Sequence, residues 1–279
     1  MKNILLFFVF SAAIALANGQ SYEMKTDILY RTDVEDEYIQ EQCKLDLLYP
    51  NDKSGYTTVV WFHGGGLTGG QKEIPEFLKE KGIAVVGVGY RFSPKTSVSE
   101  IIQDAAHAVK WVSEHIEELG GDKRKIILAG HSAGGYLNLM LALNKAYLSD
   151  VGLDANDLMG VVPFSAQCIT HFTARSESGY GINQPIIDEL APLYWVRADA
   201  PPITLITGDR ELEMVGRYEE NAYLKRMLTI VGHDQTALLE LDGFDHGMTY
   251  PAFPLLIKEV ERLENAAEKQ RGKSDLIKK

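Results

Sequence analysis

A glycine-flanked serine, Gly130-His131-Ser132-Ala133-Gly134, stands between an apolar strand candidate, Lys125–Ala129, and a helical run, Tyr136–Leu143. Few folds accommodate that succession. A strand that turns at once into a helix leaves space for little beyond hydrogen near its tip, which explains glycines two positions either side of the serine. The serine then projects from the carboxyl edge of a sheet, near the positive end of the next helix. G-x-S-x-G in a strand–turn–helix context marks a serine presented as a nucleophile. A glycine-rich turn without function would need neither flanking element.

The rest of the chain supplies a matching sheet. Strand candidates are Lys44–Leu48, Thr58–Phe62, Ile83–Val88, Lys125–Ala129, Met159–Phe164, Ile203–Thr207 and Ala237–Leu241. Runs such as Ile83-Ala84-Val85-Val86 are apolar at every position, as in parallel strands buried on both faces. Helices alternate with them. Ser97-Val98-Ser99-Glu100 has the form of a capping box, opening a helix that ends by Gly120-Gly121. Other helices are expected over Ala133–Tyr147, Met214–Ile230 and Ala252 to about Ala267. This alternation predicts an open α/β sheet with ligands outside the carboxyl ends of its strands. One stretch, Ser165–Asp199, is mixed in character and long for a loop. It reads as a small cap over the site.

At the N-terminus, Lys2 precedes an uncharged run, Ile4–Leu16, that closes on small residues at Ala15–Gly19. That pattern predicts a signal peptide over 1–19, and the run is too short for a membrane span of ~20 residues. A hydrolase domain over 20–268 and a charged, frayed tail over 269–279 complete the expected organisation, with no membrane anchor once the leader is cleaved. The formal charge of −11 argues against a nucleic-acid partner, which would call for a basic face. Cys43 and Cys168 are the only cysteines. An exported protein could bridge them, or they could be two buried thiols. No zinc spacing, calcium loop or nucleotide-binding glycine motif occurs, so neither metal nor cofactor is expected.

Two further features converge on Ser132. His63-Gly64-Gly65-Gly66 follows the strand Thr58–Phe62 and matches the glycine motif that turns backbone N–H groups toward a developing oxyanion. The donors expected are Gly65 and Gly66, joined by Ala133. His63 is read as ordering the loop. A serine also needs an imidazole and a carboxylate, in this fold in the chain order serine, acid, histidine. His246, in Gly243-Phe244-Asp245-His246-Gly247 after the last strand, occupies the base position. His233 precedes that strand, and His171 precedes any plausible acid. For the acid, Gly208-Asp209-Arg210-Glu211-Leu212-Glu213 follows the strand Ile203–Thr207, and Asp209 and Glu211 are both candidates. Arg175 and His171, in the cap, could meet a polar substrate group; Arg175 could equally pair with Asp188 or Glu189 for structure.

Through Leu45-Asp46-Leu47-Leu48-Tyr49-Pro50, the His63–Gly66 loop, Gly130–Gly135 and Asp245-His246-Gly247, the chain resembles the α/β-hydrolase esterases related to hormone-sensitive lipase. It looks most similar to secreted bacterial members that remove acetyl or feruloyl groups from plant polysaccharides. The resemblance implies a mostly parallel eight-stranded sheet flanked by helices, a serine carboxylesterase activity without cofactor, and a small-molecule or oligosaccharide ester as substrate. It also places the acid three residues after Gly208, at Glu211, where Asp is common. A serine exopeptidase on the same fold, and a non-catalytic binding protein that kept the fold, are the alternatives. Oligomeric state is left open.

Overall fold

The computed structural model describes residues 21–277 apart from 33, 34 and 215, with side chains as far as Lys269. The leader expected over 1–19 lies outside the described residues. Eight strands form one sheet: β1 (Tyr22–Leu29), β2 (Lys44–Pro50), β3 (Tyr56–Phe62), β4 (Ala84–Val88), β5 (Gly121–His131), β6 (Gly160–Phe164), β7 (Ile203–Gly208) and β8 (Thr236–Leu241). Their spatial order is β1-β2-β4-β3-β5-β6-β7-β8. The β1–β2 and β2–β4 pairs are antiparallel and all others parallel. The chain runs outward from β3 to β4 on one side and returns to β5 on the other. The β3–β5 edge is therefore the switch point, where an open α/β sheet leaves a crevice.

Period-two alternation in β3 builds both layers of the core, since all seven of its residues are buried. Val60 and Phe62 face a large cluster with Val109, Leu137 and Leu224, while Val59 and Trp61 face a second with Phe253, Leu256 and Val260. Helices cover the two faces accordingly: α1 (Glu37–Gln42), α2 (Val98–His115), α3 (Ala133–Leu143), α4 (Lys145–Asp150), α5 (Phe172–Glu177), α6 (Arg217–Ile230) and α7 (Thr249–Ile277). The expected capping box is present: Ser97 accepts from the Glu100 N–H, and Glu100 accepts from the Ser97 N–H.

The elements differ from expectation in several places, and β1 and α1 are not among those expected. The single helix expected over Ala133–Tyr147 is two, because Asn144 leaves helical geometry and its side chain caps Ala146. The helix expected from Met214 begins at Arg217, one turn later. The last helix runs to Ile277, through a Glu-, Lys- and Gln-rich stretch of good helix formers. The segment 165–199 contains α5 and a 3-10 turn, Pro192–Trp195. Both cysteines are free and buried, and burial pushes the Cys43 thiol up to about 12.

Candidate active site

Ser132 sits at the tip between β5 and α3 with φ 55° and ψ −111°, a conformation unusual for a residue with a side chain. The turn is that tight because its surroundings are. A Cβ on Gly134 would lie 2.0 Å from the Phe62 carbonyl oxygen, and one on Gly130 2.6 Å from the same atom. The Ser132 N–H donates to Phe164 O at 2.8 Å, tying the tip to β6.

The glycine loop after β3 faces this tip. A Cβ on Gly64 would stand 3.2 Å from His131 Nδ1 and 3.6 Å from the Ser132 Cβ, so the loop lies about one methyl group away from the serine turn. Gly65 and Gly66 have φ of 120° and 64°, and a Cβ on Gly65 would lie 2.0 Å from Gly69 O. Ala133 begins α3, whose first N–H groups have no partner within the helix. His63 orders the loop, as expected. Its Nδ1 donates to Gly64 O at 2.6 Å, its ring stacks on Tyr90 at 4.3 Å, and Tyr90 donates to His63 O at 2.7 Å. Burial holds its pKa down at about 4, so the ring is neutral near pH 7.

His246 lies in the loop after β8. Its Nδ1 is 2.5 Å from Oε1 of Glu213, whose side chain is wholly buried. The carboxylate beside the imidazole is therefore neither Glu211 nor Asp209. The cause is a single turn of chain: the Glu213 N–H donates to Asp209 O at 2.8 Å, which brings Glu213 back to the end of β7 while Glu211 stays exposed. Asp209 is occupied elsewhere, accepting from Glu211 N at 2.9 Å and from Gly243 N at 2.8 Å, and so fastens the His246 loop to β7. Glu213 also accepts from the Ser165 hydroxyl, from Gly208 N at 3.2 Å and from Met214 N at 3.0 Å. Burial alone would raise its pKa; the bonds to His246, Ser165 and Met214 outweigh burial and hold it at about 2. Three carboxylates within five residues carried no spacing signal to choose among them.

His131 completes the cluster. Its Nε2 donates to His246 O at 2.8 Å and the two rings are 4.7 Å apart. Burial, then the neighbouring His246, lowers its pKa to about 4. His171 is fully buried, and its Nδ1 accepts the Thr173 N–H to cap α5. Arg175 is buried but pairs with neither Asp188 nor Glu189; Nη1 donates to Gln184 O at 2.5 Å. His233 is structural, bonded to Thr236 and to the Ala200 carbonyl. Among the described residues, no group of His, Cys, Asp or Glu could hold a metal ion.

A hydroxyl at a sheet tip, an imidazole held by an ionised carboxylate, and a glycine loop beside the same tip are the groups that acyl transfer requires. Residues 45–177 match the family model BD-FAE. The chain is 28% identical over 182 residues to a probable carboxylic ester hydrolase, LipM, of Mycobacterium tuberculosis, covering 56% of this chain and 42% of that protein. It is 26% identical over 209 residues to esterase LipC of the same organism, covering 67% of this chain and 50% of that protein. The chain thus spans half or less of the length of these relatives. In three dimensions it is similar to a truncated carbohydrate esterase from gut microbiota (TM-score 0.72, 18% identity, 89% of this chain and 98% of that one). It is equally similar to the inhibited esterase B of Lactobacillus rhamnosis (TM-score 0.72, 22% identity, 91% and 90%).

Proposed function

We propose that this chain, which has the fold of the α/β-hydrolase esterases it is similar to and whose residues 45–177 match the BD-FAE model, is an exported serine carboxylesterase. It acts on short-chain or carbohydrate-linked esters through an acyl-enzyme on Ser132. One observation carries the reading: His246 is held by the buried, ionised Glu213 and hydrogen-bonded through its own carbonyl to His131, the neighbour of Ser132. His246 takes the Ser132 proton as the oxygen attacks the ester carbonyl. The tetrahedral oxyanion rests on N–H groups of Gly65, Gly66 and Ala133, and each such donor is worth roughly 3–4 kcal/mol in the transition state. His246 then protonates the departing alcohol, and water repeats the sequence to release the acid.

A carbohydrate alcohol is supported by a cleft of about 620 Å³ on the His131 side of the serine. It is lined by Trp61, Phe77, Tyr250 and Phe253, with Glu73 among them. Tyr250 is 74% exposed and sits edge-on to Phe77, presenting an aromatic surface beside carboxylate acceptors, which suits a sugar ring. Export is supported by the charged start, apolar run and small-residue exit over residues 2–19.

Short-chain nitrophenyl esters and an amino-acyl arylamide should be compared on the wild type and on Ser132→Ala. The ester is expected to be cleaved, with a loss of at least about 10³-fold in kcat for Ser132→Ala. Undiminished ester cleavage by Ser132→Ala, or cleavage of the arylamide alone, would sink the proposal. Sequencing the N-terminus of the protein recovered outside the cytoplasm tests export, and a start upstream of Asn18 counts against it.

A further inference from the structure

Two arginines beside the candidate site are buried without a carboxylate partner. Arg175 is 4% exposed and Arg217 2%, yet among the described residues neither has a carboxylate oxygen within ion-pair distance. Their hydrogen bonds go to backbone carbonyls: Arg175 Nη1 to Gln184 O, and Arg217 Nη1 to Ser165 O. No other nitrogen of either guanidinium donates to a described residue, and Arg175 Nε is a buried donor with no partner. Buried charges are ordinarily paired, because leaving one alone costs several kcal/mol. Glu220 is the nearby acid. Its carboxylate accepts from Cys168 N at 2.7 Å and Ile169 N at 3.3 Å, and it balances one of the two positive charges. Glu213 also feels Arg217, so the charges offset at longer range, but its oxygens are taken up by His246, Ser165 and backbone N–H groups and contact neither guanidinium.

Both arginines line one cavity of about 380 Å³, together with Phe172, Ile182, Asn183 and Met214. Its position is functional. Phe172 is the side chain that a Cβ on Gly66 would strike, at 2.9 Å, and Thr173 next to it donates to Gly66 O at 2.5 Å. On the opposite wall, Met214 follows Glu213, and Arg217 holds the Ser165 whose hydroxyl bonds Glu213. The cavity therefore lies between the oxyanion loop and the acid loop, and shares no lining residue with the aromatic cleft. It is large enough for a small acid, and it is lined by two guanidiniums that no carboxylate touches.

We propose that this cavity binds a free carboxylate carried by the ester substrate, with Arg175 and Arg217 as the residues that select it. The proposal rests on the esterase reading above and narrows its substrate class to acidic esters. The carboxylate can belong to the acyl group, as in a half-ester of a dicarboxylic acid, or to the alcohol, as in an acylated uronic acid. Guanidinium is the fitting partner, since its planar fork matches both carboxylate oxygens.

Two matched pairs of substrates separate these sources: monoethyl succinate against ethyl butyrate, and acetylated galacturonic acid against acetylated galactose, followed by proton release in a pH-stat. The wild type is expected to prefer the acidic member of one pair by about tenfold or more in kcat/KM, a difference of ~1.4 kcal/mol. Arg175→Gln should lower that preference ratio about tenfold, and Arg175→Lys should restore part of it. Because Arg175 is buried, Asn183→Asp serves as a second variant at the exposed mouth, where the added negative charge should also lower the ratio. Taking a ratio removes any general loss from altered folding. Cleavage of the neutral esters with no preference in either pair would overturn the proposal alone. So would variants that slow both members of a pair equally. A wild type inert toward all four esters would overturn the esterase reading together with it.

Discussion

Glu213 reaches His246 through a local turn that places three carboxylates in three different environments. Asp209 accepts two backbone N–H groups, Glu211 is exposed, and Glu213 is buried against the imidazole. Only the third stands against the His246 ring, where in the proposed mechanism it holds the tautomer and stabilises the imidazolium formed as Ser132 gives up its proton. His131 adds to this by staying neutral: a second cation 4.7 Å from the His246 ring would oppose that imidazolium, and burial prevents it. Glu213→Gln keeps the shape but loses the charge. It is expected to lower kcat for a short-chain ester by roughly 10³–10⁴-fold, the range for a triad acid converted to its amide. Glu211→Gln is expected to stay within about twofold of wild type. Should Glu211→Gln collapse turnover and Glu213→Gln spare it, the assignment of the acid is wrong. The proposed nucleophile and base could be picked out in the sequence because chain order and neighbouring glycines limit where each can stand. The acid was not, because a backbone hydrogen bond from Glu213 N to Asp209 O decides it, and residue spacing carries no record of that bond.

Between elements, the decisive contact is where the end of β7 meets the loop after β8. A Cβ on Gly208 would lie 2.5 Å from Phe244 O and 2.6 Å from Asp245 O, so a side chain there must push the backbone of the His246 loop outward. The Asp209 N–H donates to Phe244 O at 2.7 Å, and the Asp209 carboxylate accepts from Gly243 N, which fixes the loop's register on β7. Gly208→Ala is therefore expected to lower kcat/KM about 100-fold, the usual consequence of displacing a catalytic group by ~1 Å. A urea midpoint near wild type would show that the fold survives. Full activity with the loop unmoved in a crystal structure would refute the account. The same scale shows what the sequence hid in the fold. Parallel strands such as β3 and β4 announce themselves as apolar runs because both faces are covered. β1 does not: Glu23, Lys25 and Asp27 interrupt it, and as an edge strand it is held by pairing with β2 alone. Likewise α1 and α5, of six residues each, are too short for a helical period to emerge, and each is fixed by a cap: the Asp36 carboxylate in one and the His171 ring in the other.

For the molecule as a whole, burying neutral histidines links stability to pH. His63, His131 and His171 are all held below the ordinary value of 6.5 by burial, His63 and His131 to about 4. In the unfolded chain such groups take up a proton as pH falls through 6.5, whereas in the folded protein His63 and His131 resist until about pH 4 and His171 is likewise held neutral by its burial. The unfolded state therefore binds more protons between these limits. Stability is complete above pH 6.5 and is lost progressively as pH falls from 6.5 toward 4, by at most about 1.4 kcal/mol per pH unit for each group. Glu213, held at about 2, acts in the same direction at lower pH, as its buried carboxylate is protonated more readily in the unfolded chain between its ordinary 4.5 and 2. His63 offers the cleanest test, since it packs on Tyr90 and touches no proposed reacting group. Asn at this position can keep a donor toward Gly64 O while removing the titration. Urea unfolding at pH 7.5, 6.0, 5.0 and 4.5 should give a shallower fall in stability for His63→Asn than for wild type, the two curves drawing together by on the order of 3 kcal/mol across the range. Parallel curves would mean that the His63 ring is protonated as readily in the folded protein as in the unfolded chain, and that the glycine loop does not depend on a neutral ring beneath it.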